Sequence, residues 1–239
     1  MANATYTPSP RRENSRGKRP VPAVISFTLA QIIDHFTQNI EAIRAQSAVA
    51  EDMVREGNRS EAEFIWRTQI LYLVSALDFY MHELTTYGTV AMYRRRWPRT
   101  PDYEKIRLPM SAIDESARAS GSLEWLVEYI NDAFGRDTMT SYPRIKDQAD
   151  LLGIDIRRCM EEAFPHVSKK NRAVAEGSEI LGKISSRRNR IAHQTDRDPD
   201  NARQAGITAQ YVSQSIAHIE GLVLALHRAA EEKDRARGN

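Results

Sequence analysis

One short run holds residue types that could move a proton beside an anionic centre: Arg187-Arg188-Asn189-Arg190-Ile191-Ala192-His193. Histidine exchanges its ring proton near neutrality, so His193 suits general acid–base work. Arginine's planar fork matches phosphate oxygens, so Arg188 suits stabilisation of developing negative charge. Asn189 shares a helical face with His193, four residues on, and can orient that ring or bond a ligand. Leu181, Ile184 and Ile191 mark a buried stripe, and Arg188 falls on it, between Ile184 and Ile191. A charge there is costly unless it is paired or opens onto a wet cleft or an interface. Arg188 and His193 lie about 140° apart round an ideal helix. They meet at one atom only through arginine's reach, a distorted helix end, or the same motif from a second copy. A structural reading stands beside the chemical one: the histidine caps the helix dipole, and the arginine pairs with a buried acid. Arg187 and Arg190 are expected to be solvated and within reach of a polyanion.

Two further segments carry chemistry-bearing residues. Ser75, Asp78 and His82 lie beside the core stripe of an early helix, where Asp78 either pairs with Arg188 or forms a local Asp–His pair. Arg94-Arg95-Arg96-Trp97-Pro98-Arg99 mixes cations with an aromatic ring, as a strand-binding loop does; the plainer reading is a solvated turn with Trp97 tucked inward. His35, His82, His166, His218 and His227 show no metal-ligand spacing, and there is neither a His-Glu-x-x-His helix nor a phosphate-cradling Gly-x-x-x-x-Gly-Lys loop. No metal or cofactor is expected. Cys159 reads as a buried small apolar residue.

The elements that must position these residues are helices. Leu29, Ile33, Phe36, Ile40, Ile43, Ala50 and Val54 form one stripe, ended by Gly57-Asn58. A second long helix is predicted from Ser60, with Glu63 completing a capping box, to Tyr87 with Gly88 as its stop. Its stripe is Trp66, Ile70, Leu73, Val74, Leu77, Met81 and Leu84, and the two helices should pack antiparallel. Prolines make 94–111 irregular. Shorter helices are predicted at Leu123–Phe134, Tyr142–Leu152 and Ile156–Phe164. Long ones follow from about Arg172 to His193 and from about Thr208, the latter with Val212, Ile216, Ile219, Val223 and Leu226 inward.

The chain has 239 residues, of which 41% are hydrophobic and 28% charged, a balance that suits a globular domain and excludes low-complexity architecture. A net charge of +2 excludes neither nucleic-acid nor protein partners. A single cysteine excludes an intrachain disulfide framework and suits a reducing compartment. No apolar run of membrane-spanning length and no signal-peptide stretch is present, so a cytoplasmic protein is expected. Residues 1–24 read as a disordered basic arm, with five cations against Glu13 before Pro22. Residues 25–234 form one domain and 235–239 a frayed tail, in charged sequence that begins at Glu231. The fold class is all-α, a bundle of four long helices with additional short ones.

The Arg188-Asn189-x-x-x-His193 run near a helix end resembles the signature of the HEPN superfamily. Ser75-Ala76-Leu77-Asp78-Phe79-Tyr80 with His82-Glu83-Leu84 resembles the second helix of its RiboL-PSP-type members, and Ile145 to Ile154 resembles them too. This resemblance, over roughly residues 27–230, implies a HEPN-like bundle and a metal-independent endoribonuclease. In such an enzyme a ribose 2′-OH attacks the adjacent phosphate, leaving 2′,3′-cyclic phosphate and 5′-hydroxyl ends. Arg188, His193 and Asn189 would be catalytic, with Asp78 and Ser75 in support. Arg187, Arg190, Arg94, Arg95, Arg96 and Trp97 would contact RNA. The resemblance further implies a homodimer with the active site at its interface. It implies a toxin or effector role in a prokaryotic defence or toxin–antitoxin system, with an antitoxin or partner protein. The alternative is a non-catalytic HEPN module that dimerises and binds RNA or a partner protein. Modest net charge fits a restricted RNA target better than broad affinity.

Overall fold

The computed structural model describes residues 27–119, 121–135, 138–165 and 170–236; the basic arm, His166 and residues 237–239 lie outside these. Thr28 opens α1 (Leu29–Arg55) with a reciprocal cap, its Oγ1 accepting from Gln31 N at 3.3 Å while Gln31 Oε1 accepts from Thr28 N at 3.0 Å. The capping box expected at Ser60 and Glu63 does not form. Helix α2 (Arg59–Tyr93) starts one residue earlier behind Asn58, and Ser60 Oγ donates to Glu61 Oε2 at 2.7 Å.

Helix α2 also runs past its expected stop. A Cβ on Gly88 would stand 2.5 Å from Leu152 Cδ2 and 2.8 Å from Trp97 Cζ3. That glycine permits close packing across the helix rather than ending it. Prolines shape the next stretch as expected, but they start helices within it: Pro101 opens α3 (Pro101–Glu104), and Pro109 precedes α4 (Met110–Arg118). Then follow α5 (Glu124–Phe134), α6 (Tyr142–Leu152) closed by Gly153 at φ 64°, and α7 (Ile156–Ala163) capped by Asp155. The last two are α8 (Lys170–Gln194) and α9 (Ala209–Arg235), the latter capped by Thr208. Among the described residues there is no strand, only an isolated bridge between Arg197 and Gln204.

The four long helices enclose the main core with α6 and α7, while the end of α2 with α4 and α5 closes a smaller cluster around Trp125 and Ile130. Every residue of the α2 and α9 stripes is buried, but on α1 Ile33 is only half-buried and Val54 is exposed. The charged end of α9 is not frayed through Arg235, because it is tied down. Asp234 accepts from Trp97 Nε1 at 2.6 Å and from the Tyr87 hydroxyl, and Glu232 takes both its oxygens to Arg158 at 2.6 and 2.8 Å. No described helix is long and apolar enough to cross a membrane.

His227 gives the core a pH dependence. The ring is buried, with Nδ1 3.4 Å from the Tyr80 hydroxyl and Nε2 3.7 Å from Glu231, too far for a hydrogen bond. Burial holds its pKa below the ordinary histidine value, and Glu231 only partly opposes this. The folded state therefore binds this proton less readily than the unfolded chain. The stabilisation is present above the unfolded value of about 6.5 and is lost as pH falls through the lowered one. His227→Gln should show a smaller loss of stability between neutral and acidic pH than the wild type, measured by urea unfolding at each pH. An equal loss in both proteins would remove His227 from the effect.

Candidate functional site

Helix α8 is regular through His193 and Gln194. Thr195 and Asp196 then take positive φ, 50° and 59°, where non-glycine residues seldom sit. What holds this turn is the Asp196 side chain, which is fully buried. Its Oδ2 accepts from Arg67 Nε at 3.1 Å and Arg187 Nη2 at 2.5 Å, and its Oδ1 accepts from Arg190 Nε at 2.9 Å. Arg67 also donates to Glu63 at 3.1 Å and to the Ala205 carbonyl at 2.8 Å, and Arg187 donates to the carbonyls of Ala205 and Gly206. One carboxylate thus locks together α2, the end of α8 and the loop before α9. This corrects the expectation that Arg187 is solvated, whereas Arg190 pairs with Asp196 and still meets water. Burial of Asp196 draws both guanidiniums onto it.

The motif residues between and beyond those two arginines are engaged differently. Arg188 is half-buried, and its Nη1 donates to Asn189 Oδ1 at 2.9 Å. Among the described residues it has no carboxylate partner. Asn189 and His193 are exposed on their shared face. Ile184 and Ile191 are buried on either side of Arg188, as the stripe requires. Because α8 is regular to Gln194, a distorted helix end does not bring Arg188 and His193 together. Arginine's reach or a second copy is left.

Asp78 does not pair with Arg188. Its Oδ1 accepts from the Met139 amide at 2.6 Å and lies 3.8 Å from His82 Nε2. The neighbouring Thr140 carbonyl accepts from Ser185 Oγ at 2.9 Å. Asp78 therefore acts on α8 through the segment around 139–140, one turn before Arg188. Ser75 Oγ donates to its own helix at Leu71 O, at 3.0 Å. Arg94, Arg95 and Arg96 are exposed, Arg96 with its guanidinium 5.1 Å from the Tyr87 ring centre. Trp97 is not available to stack a base: it is 1% exposed and fills the space that Gly88 leaves. This basic turn is remote from the motif, since α2 rises about 39 Å between Arg67 and Tyr93.

No local pattern points to Asp196 or Arg67, whose partnership spans 129 positions. Cys159 is buried, and burial pushes its thiol up to about 12, which disfavours the thiolate. Among the described residues no three histidine, cysteine or acidic side chains gather closely enough to hold a metal ion. The outer face of α2 is unusual: Phe64, Tyr72 and Phe79 are 70%, 65% and 47% exposed, and the first two border a groove of about 510 Å³ against Asn39, Ala42 and Gln46 of α1. No family model, no curated protein and no solved structure matches the chain.

Proposed function

We propose that the chain is a metal-independent endoribonuclease of HEPN type that cuts RNA by attack of the ribose 2′-OH on the adjacent phosphate. One observation carries this reading. Of the cations in the last turns of α8, Arg187 and Arg190 are spent on Asp196, whereas Arg188 has no acid partner among the described residues and His193 stands exposed. A purely structural Arg188 would need the buried acid that it lacks. Arg188 serves the phosphorane charge, His193 moves protons, and Asn189 holds the Arg188 guanidinium. The 2′-oxygen bonds to phosphorus, the bond to the 5′-oxygen breaks, and a cyclic phosphate and a 5′-hydroxyl remain.

The working unit is a homodimer. Arg67 and Asp78 mark the α8 flank of α2, Gln69 and Glu83 mark the α1 flank, and Phe64, Tyr72 and Phe79 lie between the two. A two-fold axis between positions 71 and 72 would set Phe64 against the second copy's Phe79 and Thr68 against its Ser75, a self-complementary seam. Both α8 motifs would then lie on the same side of the dimer. One His193 would take the 2′-OH proton and the other would protonate the leaving oxygen. Light scattering should report a dimer for the wild type and a monomer for Tyr72→Asp, which should also lose cleavage. A monomeric, active wild type would remove the dimer from the reading. The proposed setting is the cytoplasm, as toxin or effector of a prokaryotic defence or toxin–antitoxin system in which a partner protein restrains the nuclease.

The test of the activity is incubation with single-stranded RNA in EDTA, followed by end analysis. Cyclic-phosphate and 5′-hydroxyl ends are expected. Ends bearing a 5′-phosphate would contradict the reading.

A further inference from the structure

The turn that leaves α2 and the end of α9 enclose a second pocket, of about 480 Å³, walled by Arg95, Trp97, Pro98, Arg99, Lys233 and Ala236. Three of these are cations and none is an acid. The acids nearby are occupied. Asp234 accepts from Trp97 and Tyr87, and Glu232 is held by Arg158; Glu104, 3.5 Å from Nη1 of Arg99, offsets one of the three cations in part and leaves the other nitrogens of that fork. Arg94 and Arg96, exposed on the same turn, add to the positive field around it.

The backbone of the turn is tied to its neighbours. Arg95 sits at φ 58°, in the left-handed region where a long side chain is uncommon. The amides of Arg96 and Trp97 both donate to Ala91 O, at 2.8 and 3.2 Å, and Thr100 Oγ1 donates to Leu151 O at 2.8 Å. The Lys233 ammonium donates to Gly153 O at 3.1 Å and lies 5.5 Å from the Trp97 ring centre, so donors are left for a ligand. Burial lowers its pKa, and among the described residues it has no carboxylate partner. Two arginine forks beside a half-buried lysine over the Trp97 ring suit a tetrahedral oxyanion with an organic substituent.

We infer that the Arg95–Arg99–Lys233 pocket is a phosphate-binding site, separate from the α8 motif and independent of whether that motif cuts RNA. The phosphate comes either from a nucleic-acid strand or from a small phosphate compound. Both arms use the full chain carrying His193→Ala, so that RNA stays intact. The first measures thermal stability in inorganic phosphate against chloride at matched ionic strength. The second measures the affinity of a fluorescent twelve-residue oligouridine. The comparison is with the same chain also carrying Arg95→Gln and Arg99→Gln. Lys233→Met keeps the stem on Trp97 and replaces that pair if it misfolds.

A strand phosphate predicts an oligouridine affinity at least tenfold weaker in the variant. A small-phosphate site predicts loss of the phosphate-specific stabilisation with oligouridine affinity unchanged. Equal behaviour of variant and parent in both arms overturns the inference, whatever the wild type does to RNA.

Discussion

Arg188→Ala should cut RNA cleavage by about 10²–10³-fold while leaving the fold almost untouched. Loss of a group that stabilises developing charge costs an enzyme that much. Folding should hardly notice, because the only bond the side chain makes among the described residues is to the exposed Asn189. Exposed polar contacts of this kind are worth under about 1 kcal/mol. His193→Ala should behave alike, with a loss of about 10²–10⁴-fold for a proton-transfer residue. The double variant should be little worse than the poorer single one, since the groups act together. The neighbouring arginine supplies the control: Arg187→Ala should destabilise the chain by removing a ligand of Asp196. Two adjacent arginines would then have opposite phenotypes, one catalytic and one structural. A marked fall in melting temperature for Arg188→Ala, with cleavage preserved, would point to the binding-module reading instead.

Asp196→Ala should be the most destabilising single change near the motif. It leaves Arg67, Arg187 and Arg190 without their shared carboxylate. Breaking a buried ion pair from one side costs about 3–5 kcal/mol. Arg190 is two-fifths exposed, so water takes up part of its loss, whereas Arg67 and Arg187 remain mostly buried. In a chain of this size the expected fall in melting temperature is roughly 10 °C. Cleavage should fall as well, because the α8 end that presents His193 loses its anchor. Differential scanning calorimetry of Asp196→Ala and Asp196→Asn checks this. A melting temperature within about 2 °C of the wild type for both variants would show that the three arginines find other partners.

Local chemistry made much of the helical frame legible. The α6 boundaries follow from Pro143 near its start and Gly153 at its end, and the inward faces of α2 and α9 follow from their apolar spacing. Two of the misplacements share a cause, which is a partner distant in sequence. Gly88 reads as a stop until Leu152 and Trp97 are packed on it. The end of α9 reads as frayed until Trp97, Tyr87 and Arg158 hold it. For Trp97 the sequence left a stacking platform beside the plainer reading of a ring tucked inward, and the bond from its indole N–H to Asp234 goes with the second. In the candidate site, the stripe position of Arg188 and the exposed face of Asn189 and His193 were legible from helical periodicity. The Asp196 clamp was not, because no periodicity joins position 67 to position 196.

The most direct measurement is the cleavage of single-stranded RNA in EDTA by the wild type beside His193→Ala, at equal concentration and with matched circular dichroism. Products are read for 2′,3′-cyclic phosphate. Cyclic-phosphate ends from the wild type, with at least a hundredfold fewer from the variant, are the predicted result. Equal cleavage by the two proteins, or none by either, would contradict an RNase that works through His193.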